Sequence, residues 1–179
     1  MSDYDLRGIV SLPEEYRSWL LVCSARPTPD VWRGIVQEDE DDVAGAYELD
    51  LDAVAPLYEW NGTVFLAIDA SVDADKAVYQ SDHGFVVYEG AWDDEGPPER
   101  VQLDPEGAEE LGVIPGTANG VYLFDSVYAL DEVEDVDYCN YVGSAFLHLD
   151  NAGRSLKCSR HVEGDPENPR LLATIFDWR

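Results

Sequence analysis

The sequence predicts an α+β fold, a mainly antiparallel β-sheet with an N-terminal amphipathic helix and a short second helix. Three observations carry that expectation. Leu12, Tyr16, Trp19, Leu20 and Cys23 recur at helical spacing. Several short runs rich in Val, Ile, Tyr and Phe are bounded by Gly, Asn and Asp turns. At 179 residues, with 45% hydrophobic content, the chain is of a size to form one domain over 1–179 with a substantial core.

The first helix is expected to start at a capping box, in which the Ser11 hydroxyl and the Glu14 carboxylate satisfy free amides of the first turn. Pro13 in that turn gives up an amide that would have had no partner. Glu14, Glu15, Arg17 and Ser18 take the polar face. The second helix is expected from Pro105 to Leu111, capped by Asp104, with Glu106 at its positive end and Gly112 as its stop.

Strands are expected elsewhere. Thr63 to Asp69 holds the continuous apolar run Val64, Phe65, Leu66, Ala67 and Ile68, the pattern of a central strand covered on both faces. Ala77 to Gln80 and Phe85 to Glu89 flank Asp82-His83-Gly84 and predict a hairpin. Val121 to Ala129 predicts a strand with Val121, Leu123 and Val127 on one face and Tyr122, Phe124 and Tyr128 on the other. Ala145 to Leu149 and Ser155 to Val162 are expected to form a second hairpin across Asp150 to Gly153, and Leu171 to Trp178 a last strand. Glu38 to Asp42, Asp93 to Glu95, Asp131 to Asp137 and Glu163 to Pro169 read as acidic loops.

Charge sets the class of partner. The formal net charge is -27, from 38 acidic and 11 basic residues, and Lys76 and Lys157 are the only lysines. Direct nucleic-acid binding requires cations that displace counterions, and an anionic membrane repels such a surface, so neither is expected as a partner. Cys23, Cys139 and Cys158 form no C-x-x-C pair, and the first 12 residues lack a basic region followed by an apolar core. The expectation is a cytoplasmic protein with free thiols.

No catalytic residue, metal site or cofactor is expected. Cys158 and His161 have C-x-x-H spacing, but on a strand the period of two sends them to opposite faces, whereas zinc ligands converge on one centre. Ser81-Asp82-His83 places three triad residue types side by side, where a turn accounts for them better than a triad assembled in space. No glycine-rich phosphate loop is present.

Leu12-Pro13-Glu14-Glu15-Tyr16-Arg17-Ser18-Trp19-Leu20-Leu21 resembles the LP-x-x-Y-x-x-[FW]-L helix of SMI1/KNR4-type immunity proteins. That resemblance implies an immunity role as one alternative. The Asn-Gly-Gly stretch frequent after that helix is replaced here by Cys23-Ser24-Ala25-Arg26-Pro27.

The principal expectation is a non-enzymatic acidic binding or inhibitor protein that docks on a basic protein partner, either a nucleic-acid-binding protein, with carboxylates imitating the phosphate array, or a basic toxin or enzyme cleft. The candidate partner-binding residues are Glu38, Asp39, Glu40, Asp41 and Asp42 beside Trp32, and Asp93, Asp94 and Glu95 beside Trp92, because each run couples charge to an aromatic anchor. Adaptation of a cytosolic domain to a salt-rich interior is a further alternative, as is a small enzyme whose site the sequence does not display.

Overall fold

A computed structural model describes residues 1–11, 19–26, 28, 31–32, 57–60, 62–69, 75–89, 92, 95–104, 106–125, 146–165 and 168–179. Among these residues the fold is all-β, with twelve strands and no helix. The strands are β1 (Ser2–Ser11), β2 (Trp19–Cys23), β3 (Leu57–Trp60), β4 (Thr63–Asp69), β5 (Asp75–Ser81) and β6 (Gly84–Tyr88). The second half supplies β7 (Arg100–Leu103), β8 (Glu109–Ile114), β9 (Val121–Asp125), β10 (Phe146–Leu149), β11 (Leu156–Asp165) and β12 (Asn168–Trp178).

Every strand pairing is antiparallel. A seven-stranded sheet runs β7-β1-β5-β6-β12-β11-β8 and a five-stranded sheet runs β10-β9-β2-β4-β3. The sheets share one core. The larger contributes Val10, Val78, Phe85, Val87, Ile114, Leu156, Cys158 and Phe176, and the smaller contributes Leu20, Val22, Leu66, Ile68, Val121, Leu123, Leu147 and Leu149. Phe85 and Phe176 stack within it at 4.3 Å between ring centroids.

Each sheet also buries its other face. On the larger sheet Tyr4, Ala77, Tyr79, Val86, Val101, Leu103, Ala173 and Ile175 form a second cluster. On the smaller one Leu21, Cys23, Trp32, Phe65, Ala67 and Phe124 form a third. A bulge between Leu6 and Gly8 lets β1 serve two of these clusters, because one extra residue inverts the alternation. Tyr4 and Leu6 therefore join the second cluster and Val10 the shared core.

The α+β expectation is corrected to all-β, and the two helices fail for different reasons. Trp19 to Cys23 belongs to β2, where Leu20 and Val22 enter the shared core while Leu21 and Cys23 enter the third cluster. When both faces are buried, consecutive apolar residues satisfy a strand as well as a helical stripe. Leu12 to Ser18 lie outside the described residues, and Ser11 pairs with Asp75 at the end of β1. In the second helix, the Asp104 carboxylate does accept the Glu106 amide, at 3.1 Å, but it closes a turn rather than opening a helix. The chain then enters β8, and Gly112 lies inside that strand.

The expected hairpin of 145–149 with 155–162 is also corrected, because β10 pairs with β9 while β11 pairs with β12 and β8. The intervening turn carries the chain from one sheet to the other. Buried Asn151 organises that crossing, donating to the Arg154 carbonyl at 2.5 Å and accepting the Gly153 amide at 3.1 Å. Within 163–169, expected as a loop, 163–165 end β11 and 168–169 begin β12, and 166–167 lie outside the described residues.

Other elements agree with expectation. β4 lies between β2 and β3 with Phe65 and Ala67 in one cluster and Leu66 and Ile68 in the other. β5 and β6 form a hairpin with Ser81 opposite Gly84. β9 alternates Val121 and Leu123 with Tyr122 and Phe124 between the two faces of its sheet, and 126–129 lie outside the described residues.

Candidate functional site

The two candidate docking runs divide differently on the structure. Trp32 is only 1% exposed. Its ring meets Phe65 at 5.5 Å between centroids and its amide donates to the Thr28 carbonyl at 2.8 Å, so this tryptophan is a core residue and no surface anchor. Glu38, Asp39, Glu40, Asp41 and Asp42 lie outside the described residues, as do Asp93 and Asp94. Trp92 is half-buried against the outer cluster of the larger sheet, and Glu95 is exposed in the turn that leads to Gly96. Trp92 and Glu95 are thus the two expected docking residues that the described structure places at the surface.

Charge is unevenly distributed along the chain. The runs Glu38 to Asp42, Asp93 to Glu95 and Asp131 to Asp137 are rich in acids and contain no basic residue. Within the sheets, cations meet acids across neighbouring strands. Arg100 donates to Asp5 at 2.6 Å, Arg160 to Glu109 at 2.7 Å, and Lys157 approaches Glu110 at 2.9 Å. The hydrogen bond to Asp5 holds the Arg100 guanidinium above its ordinary pKa, and the one from Lys157 holds the Glu110 carboxyl below its own. These pairs decorate β7 and β8, the two edges of the larger sheet, where charge discourages edge-to-edge association.

One feature escaped sequence reasoning. Lys76 is fully buried and donates to Glu89, itself 5% exposed, in a short ion pair. The available signal was a lysine, one of two in the chain, leading directly into the apolar run Ala77-Val78-Tyr79.

The residues considered for catalysis have structural surroundings. Cys23 and Cys158 are buried free thiols, each pushed up to about 12 by burial, which withholds the nucleophilic thiolate at neutral pH. Cys139 lies outside the described residues. Cys158 faces the shared core while His161 is half-buried three residues along β11. His148 Nε2 lies 2.7 Å from the Asn119 carbonyl oxygen, with its ring against Tyr122. Among the described residues no three His, Cys, Asp or Glu side chains converge as a metal site. Ser81, Asp82 and His83 form the hairpin turn, where the Ser81 hydroxyl oxygen accepts the His83 amide at 3.2 Å. Among the described residues no helix is long and apolar enough to cross a membrane.

Comparison with protein-family models, curated proteins and solved structures finds no match. The resemblance to SMI1/KNR4-type proteins therefore stands on Leu12 to Leu21 alone, and within it Trp19, Leu20 and Leu21 lie in a strand.

Proposed function

We propose that this chain works by binding, as an acidic protein that docks on a basic protein partner. The observation that supports the reading best is the segregation of charge. Six of the 11 basic residues lie on the described strands and four of them meet carboxylates there, whereas the acidic runs Glu38 to Asp42, Asp93 to Glu95 and Asp131 to Asp137 contain no basic residue. Runs of carboxylates accelerate encounter with a cationic surface and repel nucleic acid and anionic lipid. In sequence, Trp92 beside Asp93, Asp94 and Glu95 combines an aromatic side chain with acids, the pairing such a contact uses.

A second reading, adaptation to a salt-rich interior, is favoured by the exposed acids of the framework itself, among them Glu59, Asp75, Asp82, Glu99 and Asp150. Cross-linking capture separates the two, comparing the native chain with one variant neutralised at Glu38 to Asp42 and another neutralised at Asp93, Asp94 and Glu95. Docking predicts a basic protein recovered in stoichiometric amount and lost with one neutralised run. Salt adaptation predicts the same recovery from all three chains.

A further inference from the structure

We infer that the buried Lys76–Glu89 ion pair is a register pin for the β5–β6 hairpin, a device that selects one strand alignment from two that the apolar pattern accepts.

The hairpin needs such a device because both of its faces are buried. Val78, Phe85 and Val87 point into the shared core, while Ala77, Tyr79 and Val86 point into the outer cluster. A one-residue slip exchanges the faces of a strand, and hydrophobicity resists that exchange only where one face is polar. Here apolar residues would replace apolar residues.

The turn offers the alternative. In the observed register Ser81 faces Gly84 across a two-residue turn, with Ala77 opposite Tyr88. Asp82-His83-Gly84 also suits a three-residue loop, whose last position favours glycine. That loop would set Ser81 against Phe85 and Ala77 against Glu89.

The charges distinguish the two alignments. Continuing the observed register beyond Ala77 and Tyr88 sets Lys76 directly opposite Glu89, on the face shared with Val78 and Val87, and the two side chains meet there. In the slipped register Glu89 would share a face with Ala77 and part from Lys76, leaving two buried charges without each other. An unpaired buried charge is far costlier than a paired one, whereas the pair as a whole contributes little over apolar side chains of the same size.

The test uses four variants of the full chain, followed by thermal melting and by amide NMR with cross-strand contacts. Lys76→Met and Glu89→Leu should each lower the melting temperature by about 10 °C. The combined Lys76→Met, Glu89→Leu chain should recover most of that loss yet give two sets of amide signals over 77–88, one with residue 77 near 88 and one with residue 77 near 89. The reversed pair, Lys76→Glu with Glu89→Lys, should return a single set in the observed register. The inference is overturned if the apolar double variant keeps one set of signals with the observed contacts, if it fails to fold, or if the reversed pair is heterogeneous.

Discussion

A Cβ placed on Gly84 would lie 1.9 Å from the carbonyl oxygen of Phe176, so β6 approaches β12 to a distance that only glycine permits. The clash is with backbone, which cannot rotate away. Gly84→Ala is therefore expected to destabilise the protein by about 3 kcal/mol. Gly62→Ala serves as the control, because its added Cβ meets nothing within 4 Å and its cost is the left-handed backbone alone, about 1 kcal/mol. Denaturant melts of both variants check the difference, and equal costs would refute the assignment.

The same contrast between core and surface applies to tryptophan. Trp32→Ala should cost about 3 to 5 kcal/mol, since it empties a core position against Phe65. Trp92→Ala should cost about 1 kcal/mol, since that ring is half-buried. A stability loss for Trp32→Ala no larger than for Trp92→Ala would contradict the placement of Trp32 in the core.

How much of this was legible in the sequence depended on whether a segment has two distinguishable faces. Val64 to Ile68 reads as a doubly covered strand because the run is short, β-rich and bounded by turn residues, and β4 is that strand. Trp19 to Cys23 is covered in the same way, yet it follows Leu12 and Tyr16 at helical spacing, and the longer pattern predicted a helix. Asp104 carried a correct local signal with the wrong continuation, since the same carboxylate-to-amide bond closes a turn or caps a helix. Pairing partners were the least legible. Nothing in Asp150 to Gly153 distinguishes a hairpin from a crossing between sheets, because that choice is made by the packing of β9 and β11. For the candidate site, Trp32 beside an acidic run looked like an anchor, and only its contact with Phe65 reveals a core residue.

The buried thiols and phenols predict lability in alkali. Folding raises Cys23 and Cys158 from 9.0 to about 12, and Tyr79 from 10.0 to about 12, in each case chiefly by burial. Groups raised in this way favour the native state fully below their unfolded values, and that contribution is lost as pH climbs toward the folded ones. The melting temperature should therefore fall steadily above about pH 9. Cys23→Ala combined with Cys158→Ala should delay the fall. A native melting temperature that stays constant to pH 11 would count against the burial of these groups.

Salt should stabilise the fold. A net charge of -27 makes the compact state repel itself, while the exposed Arg100–Asp5 pair contributes little that screening could remove. Raising KCl should increase the melting temperature, and a decrease would mean that attractive surface pairs outweigh the repulsion.

The docking proposal is tested most directly by the association rate constant of a captured basic partner, measured by stopped flow from about 50 mM to about 500 mM KCl. The proposal predicts a fall of about tenfold or more across that range, with a shallower slope after Asp93→Asn, Asp94→Asn and Glu95→Gln together, or after neutralisation of Glu38 to Asp42. Trp92→Ala should leave the rate of association nearly unchanged and speed dissociation. A rate constant that ignores both salt and the two neutralised runs would contradict an acidic docking face.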